Sequence, residues 1–144
     1  MSSKVLLIGM APGHGDPTKP LEGRIGKRLA QLANLTEQEY LDRTLRCNLV
    51  QKDVPRGKWP MSLASAEAIK IREERWKGCQ KVILLGKLVA EAFWPKLKPD
   101  FLSAWEYGRG VWIWVFPHPS GLNRWWNDPA NLNKAQRVLR NILS

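Results

Sequence analysis

The chain has 144 residues, 44% of them hydrophobic, and a formal net charge of +10; it is long enough for one domain with a real core and too apolar to be wholly disordered. Two cysteines, Cys47 and Cys79, exclude a disulfide framework and cannot supply the four thiolates that an iron–sulfur cluster normally takes. No apolar run approaches the roughly 20 residues of a membrane span, and Val5-Leu6-Leu7-Ile8 is too short for a secretory leader, so a soluble, cytoplasmic protein without membrane contact is expected.

Lys4 to Gly9 is a continuous apolar run ending in glycine, the pattern of a strand buried on both faces. A Gly/Pro-rich loop follows, from Met10 to Pro17. Gly23 to Ala30 reads as a helix with Ile25, Leu29 and Leu32 on one face. Thr36-Glu37-Gln38-Glu39 is a capping box that opens a short second helix. Leu45 to Val50 is the next strand, and Gln51 to Pro60 a basic, proline-containing loop. Ser62 through Lys77 is predicted as a long helix with Gly78 as its C-cap. Lys81 to Gly86 repeats the opening strand pattern and leads into a helix from Lys87 to Phe93. After a proline-broken stretch, Gly108-Arg109-Gly110 turns the chain into a strand from Val111 to Phe116, where Trp112 and Trp114 are expected to serve the core. The chain closes on an amphipathic helix from Asn131 to Leu143, with Leu132, Val138, Leu139 and Ile142 inward.

Strands alternating with helices imply an α/β domain with a parallel sheet covered on both sides. No repeat or linker divides the chain, so residues 1–144 are read as a single domain. Ligands of open parallel sheets bind beyond the carboxyl ends of the strands. Three unusual segments fall there: residues 9–16, 48–60 and 117–127. The excess of 23 lysines and arginines over 13 acids attracts polyanions, nucleic acid above all. Eight tryptophans add faces on which bases can stack.

Within these segments, Gly9-Met10-Ala11-Pro12-Gly13 lets the backbone approach a ligand closely, but it is neither a GxGxxG fingerprint nor a Walker loop. Asn48 places an amide in an apolar strand, where it must find partners. Its donor–acceptor pair matches the edge of a pyrimidine. His118, held between Pro117 and Pro119, can point into a cleft as donor, acceptor or proton carrier. Ser120, Gly121 and Leu122 continue that loop to an exposed tip.

Together these segments resemble the uracil-DNA glycosylase superfamily over essentially the whole chain. Gly9-Met10-Ala11-Pro12-Gly13 is similar to the Gly-Glu-Ala-Pro-Gly motif of the thermostable iron–sulfur branch, and Gly23-Arg24-Ile25-Gly26-Lys27 to the Gly-Arg-x-Gly-Lys that opens the next helix there. Asn48 falls at that branch's base-reading asparagine, and Val82 to Gly86 resembles its third strand. His118-Pro119-Ser120-Gly121-Leu122 resembles the family's His-Pro-Ser leaving-group motif and intercalating leucine. Gly121-Leu122-Asn123-Arg124 is also similar to the Gly-Leu-Ser-Arg of the mismatch-specific branch.

The resemblance implies a three-layer sandwich around a four-stranded parallel sheet, and a monomeric, cofactor-free enzyme that hydrolyses an N-glycosidic bond in DNA. The target pyrimidine would be flipped out of the duplex into a pocket formed by Gly9, Met10, Ala11, Gly13 and Asn48. His118 would stabilise the departing base. Pro119, Ser120, Gly121, Leu122, Asn123 and Arg124 would engage the DNA, with Leu122 as an apolar wedge. Departures accompany the match. Ala11 stands where other branches carry a water-activating Asp or Asn, and Met10 replaces the Glu of the nearest branch. His14, Asp16 and Glu22 are candidates for that role by proximity alone. Gly13 replaces a thymine-excluding Tyr and leaves room for a C5 substituent. A non-catalytic DNA- or base-binding module, or an enzyme of free nucleotides, are the alternatives.

Overall fold

The structure is a computed structural model that describes residues 4–13, 15–55, 57–98, 100–108, 110–120 and 123–144. The first strand, β1 (Val5–Gly9), is buried at every position because it lies inside the sheet. Strand β2 (Thr44–Asn48) pairs with it in parallel on one side and β3 (Lys81–Leu85) on the other. Strand β5 (Val111–Phe116) runs parallel to β3, and β4 (Ala104–Tyr107) lies antiparallel on β5. The order is β2-β1-β3-β5-β4.

The four parallel strands are those expected from the sequence; the fifth, β4, is an addition within the stretch read as proline-broken. Gly108 and Gly110, at φ 61° and 78°, close a β4–β5 hairpin rather than merely introducing β5. The alternation in Ala104-Trp105-Glu106-Tyr107 is only four residues long, too short to register as a period against the prolines before it.

Among the described residues five α-helices cover the sheet: α1 (Gly23–Leu32), α2 (Glu37–Arg43), α3 (Met61–Glu74), α4 (Lys87–Phe93) and α5 (Pro129–Leu143). Val5, Leu7, Ile83, Leu85 and Phe116 face Leu29, Tyr40, Leu139 and Ile142 of α1, α2 and α5. Leu6, Ile8, Val82, Leu84, Ile113 and Val115 face Ala64, Ala68 and Ile71 of α3 and Val89 and Phe93 of α4. This is the three-layer arrangement that a parallel sheet with apolar residues on both faces requires. The capping box at Thr36 forms in both directions, with Thr36 Oγ1 accepting from the Glu39 N–H at 3.1 Å and Glu39 Oε1 from the Thr36 N–H at 3.0 Å.

Three local readings are corrected. Helix α3 ends at Glu74, and Gly78 instead closes a separate 3-10 turn, Trp76–Gly78; that turn swings Trp76 into the core, stacked on Phe93 at 5.2 Å. Helix α5 starts two residues earlier than expected, at Pro129, because Asp128 accepts a hydrogen bond from the Ala130 N–H at 2.9 Å and Pro129 suits the first helical position. Trp112 is 43% exposed rather than core, whereas Trp114 is half-buried and packs against the core as expected. Trp112 lies opposite Glu106 of the edge strand, where the helical cover is incomplete. The buried indoles are those of Trp76 and Trp126.

The chain leaves β1 for β2 on one side and then returns to β3 on the other side of β1. The carboxyl ends of β1 and β3 are therefore a topological switch point, where an open α/β sheet has its ligand crevice.

Candidate functional site

Along the carboxyl edge of the sheet the parallel strands β2, β1, β3 and β5 lead, in that order, to Asn48, Gly9, Gly86 and His118. The two polar side chains thus flank two glycines. Asn48 is the last residue of β2, paired with Gly9 at the end of β1. It is 3% exposed. Its backbone carbonyl accepts from Gln51 Nε2 at 2.7 Å, but its side-chain oxygen is buried and has no partner among the described residues. A buried acceptor left unmet costs about 1–3 kcal/mol, which marks a place where a ligand N–H would be welcome.

Gly9 is required here for room. A Cβ on it would fall 2.6 Å from Asn48 Oδ1 and 2.7 Å from Leu21 Cδ2. Leu21 and the Asn48 amide therefore meet over the bare backbone of β1. Leu21 holds φ 57°, an uncommon conformation for a bulky residue. Its carbonyl is gripped by the Tyr40 hydroxyl at 2.8 Å, and the same oxygen would lie 2.7 Å from a Cβ on Gly26. Sequence reasoning misses Leu21, since a leucine in a proline-flanked loop carries no chemical signal.

His118 is built by the loop after β5. Gly86, at φ 112°, lies beneath it, so that a Cβ there would stand 3.5 Å from the His118 Cβ. The Gly86 N–H donates to the Phe116 carbonyl at 2.7 Å, tying the β3 exit to the base of the loop. His118 Nδ1 accepts from the Ser120 N–H at 3.2 Å, which assigns the ring proton to Nε2. Burial pushes its pKa below the usual imidazole value. The group is thus a neutral Nε2–H donor near pH 7.

A pH dependence follows. Because the folded pKa is lowered, the unfolded chain takes up the proton first as pH falls. The stability is complete above the unfolded value of about 6.5 and declines as pH drops from there through the folded value. Denaturant titrations at pH 7.5 and pH 5 should show lower stability at pH 5, and His118→Gln should reduce that difference.

The remaining predicted residues are distributed around this edge. Met10 and Ala11 are half-buried against the α3/α4 core, and Gly13 is exposed at φ 59°. Asp16 is exposed, and its carboxylate accepts from both the N–H and hydroxyl of Thr18, at 2.8 and 2.6 Å. The Thr18 hydroxyl, then the Thr18 N–H, holds its pKa below the ordinary carboxylate value. Glu22 pairs with Arg46 at 4.0 Å. Pro119 is buried, Ser120 and Asn123 are half-buried, and Arg124 is exposed. His14, Gly121 and Leu122 lie outside the described residues. A shallow cavity of about 210 Å³ is lined by Leu49, Val50, Gln51, Lys52, Leu63 and Glu67; it adjoins this edge but contains neither Asn48 nor His118.

The family model described as the uracil DNA glycosylase superfamily matches residues 1–141. The chain belongs to that superfamily. No curated protein matches it. Membership in the uracil DNA glycosylase superfamily brings DNA glycosylase-type function in general, with DNA as the polymer acted upon. The iron–sulfur cluster of one branch does not fit this chain. Its only cysteines, Cys47 and Cys79, are free and buried, and burial pushes the Cys47 thiol up to about 11. Among the described residues there is also no group of three or more His, Cys, Asp or Glu side chains placed to hold a metal.

The orphan amide oxygen of this superfamily member yields a further expectation. Asn48→Leu replaces a buried, unmet acceptor by an apolar group of similar size, a change that can be neutral or stabilising. The melting temperature should stay level or rise. A marked loss of stability would show that the amide is satisfied within the protein.

Proposed function

We propose that the protein is a monofunctional DNA glycosylase that flips uracil or a modified or mismatched pyrimidine out of DNA and hydrolyses its N-glycosidic bond. The observation that carries this reading is the opposition of an unmet acceptor at Asn48 and a neutral imidazole N–H at His118 across Gly9 and Gly86. Asn48 accepts an N–H from the Watson–Crick edge of the base. As the bond to the sugar breaks, negative charge gathers on the departing pyrimidine, and His118 Nε2–H donates to its O2. A donor already aimed at developing charge in a water-poor site needs no reorganisation at the moment of reaction.

The sequence that follows His118 offers residues for that task. Leu122 fills the space vacated in the duplex, Arg124 meets the orphaned base or a phosphate, and Ser120 helps hold the flanking backbone. The open position at Gly13 accommodates a substituent on C5. No residue in Met10-Ala11-Pro12-Gly13 has an ionisable side chain, and the Asp16 carboxylate is engaged by Thr18. The reading therefore rests on leaving-group stabilisation and assigns no general base.

The deciding experiment is an excision assay on oligonucleotides carrying uracil, 5-substituted uracils, thymine mismatches and deaminated purines. An abasic product from at least one pyrimidine substrate is expected. A folded protein that binds duplex DNA with the usual salt dependence but releases no base would overturn the enzymatic reading. It would favour a second one, a non-catalytic base reader, which the apolar Met10 and Ala11 recommend. Turnover of free nucleotides, unaffected by Leu122→Ala, would point to the third.

A further inference from the structure

The loop that carries His118 has an unusual problem of attachment. Pro117 and Pro119 have no backbone N–H, so the loop has few donors with which to tie itself to the sheet. The attachment runs through an acceptor instead. The His118 carbonyl accepts from Trp126 Nε1 at 2.8 Å and from Asn123 Nδ2 at 3.3 Å. The orientation of the Asn123 amide is fixed independently, because its Oδ1 accepts from the Trp125 N–H at 3.1 Å.

Trp126 is itself anchored. It is 5% exposed and belongs to the core under α1 and α5. Trp125 meets it edge to face with ring centroids 4.8 Å apart, and Asn131 of α5 donates to the Trp125 carbonyl at 3.1 Å. The Arg28 guanidinium of α1 lies 5.4 Å from the Trp126 ring centroid. Buried Arg28 Nε has no hydrogen-bond partner among the described residues, and the guanidinium meets the indole face instead.

We propose that Trp126 is the positioning residue for His118, its indole N–H fixing the loop carbonyl while Arg28 fixes the indole. The catalytic part of this inference rests on the glycosylase reading above; the structural part does not. Through Arg28 the helix that follows the first loop is linked to the imidazole that follows the last strand. The two sides of the base site are thereby held in one register.

The test uses Trp126→Phe, which keeps an aromatic ring in the core and deletes the N–H. The chain has only two histidines, so imidazole ¹⁵N–¹H spectra identify His118 once a His14→Ala reference is recorded. In the wild type His118 should show one dominant Nε2–H form with a titration midpoint below the ordinary value. In Trp126→Phe the tautomers should mix and the midpoint should move up towards that value, with duplex affinity within about twofold of wild type. If the wild type excises a base, the single-turnover rate of the variant should fall about tenfold or more, with little change in KM. Unaltered His118 spectra in the folded variant would overturn the proposal, as would an unaltered excision rate. If the wild type excises nothing, the glycosylase reading fails and the spectra alone decide the role of Trp126. Should Trp126→Phe not fold, hydrogen exchange of the Trp126 indole N–H in the wild type decides: strong protection supports its bond to the His118 carbonyl, and exchange at the rate of an exposed indole overturns the proposal.

Discussion

Replacing His118 by alanine should lower the rate of base excision by about 10²–10³-fold, the usual cost of removing one donor aimed at a developing anion. Duplex affinity should change little, because binding to DNA draws mainly on phosphate contacts made by the basic surface. The separation of these two quantities is the informative part. His118 offers a neutral N–H, fixed by the Ser120 amide on its other nitrogen, so its contribution grows only as charge accumulates on the base. Single-turnover excision and equilibrium binding measured on one substrate read both effects. A parallel loss of binding and excision would mean that the imidazole holds the ground state and that the leaving group is stabilised elsewhere. His118→Gln keeps a donor of similar reach and should recover part of the rate.

Gly9→Ala should be nearly as damaging to excision, by about a hundredfold, for a different reason. The added methyl would lie 2.6 Å from Asn48 Oδ1 and 2.7 Å from Leu21 Cδ2. Both are distal atoms of side chains, so they can swing aside at modest cost to the fold. In doing so they leave the positions from which a base would be read, and displacements on the scale of 1 Å can cost about 10²-fold in rate. Gly26→Ala provides the contrast. Its methyl would meet the backbone oxygen of Leu21 at 2.7 Å, an atom already held by Tyr40, and so should lower the melting temperature outright. If Gly9→Ala were instead fully active, the base could not lie against the end of β1.

Much of this arrangement is legible in the amino-acid order, and the parts that are not have physical reasons. Glycine and proline punctuate the ends of β1 and β5, so the loops at Gly9 and His118 stand out from their apolar strands. Asn48 is visible because an amide in a buried run demands a partner. Leu21 is invisible, because its importance lies in a left-handed backbone held by a tyrosine nineteen residues away in sequence. Gly86 reads as an ordinary strand exit; only its φ of 112°, with His118 packed directly above it, shows why a residue with a side chain would be strained there. The pair Trp125-Trp126 can be seen as aromatic but not as supporting, since an indole N–H bonded to the His118 carbonyl is a tertiary fact. Strand β4 escapes notice because four alternating residues are too few to establish a period.

The two glycines between Asn48 and His118 also determine how a base seat at this edge could be retuned. A floor made of bare backbone cannot be trimmed further, so a substitution at position 9 can only crowd the space beside Asn48, and one at position 86 strains a left-handed backbone. Enlargement has to come from the wall, where Leu21 presents a branched side chain that can be cut back. On the glycosylase reading, tolerance of bulky bases should therefore be asymmetric, narrowed by substitution at Gly9 and widened by cutting back Leu21.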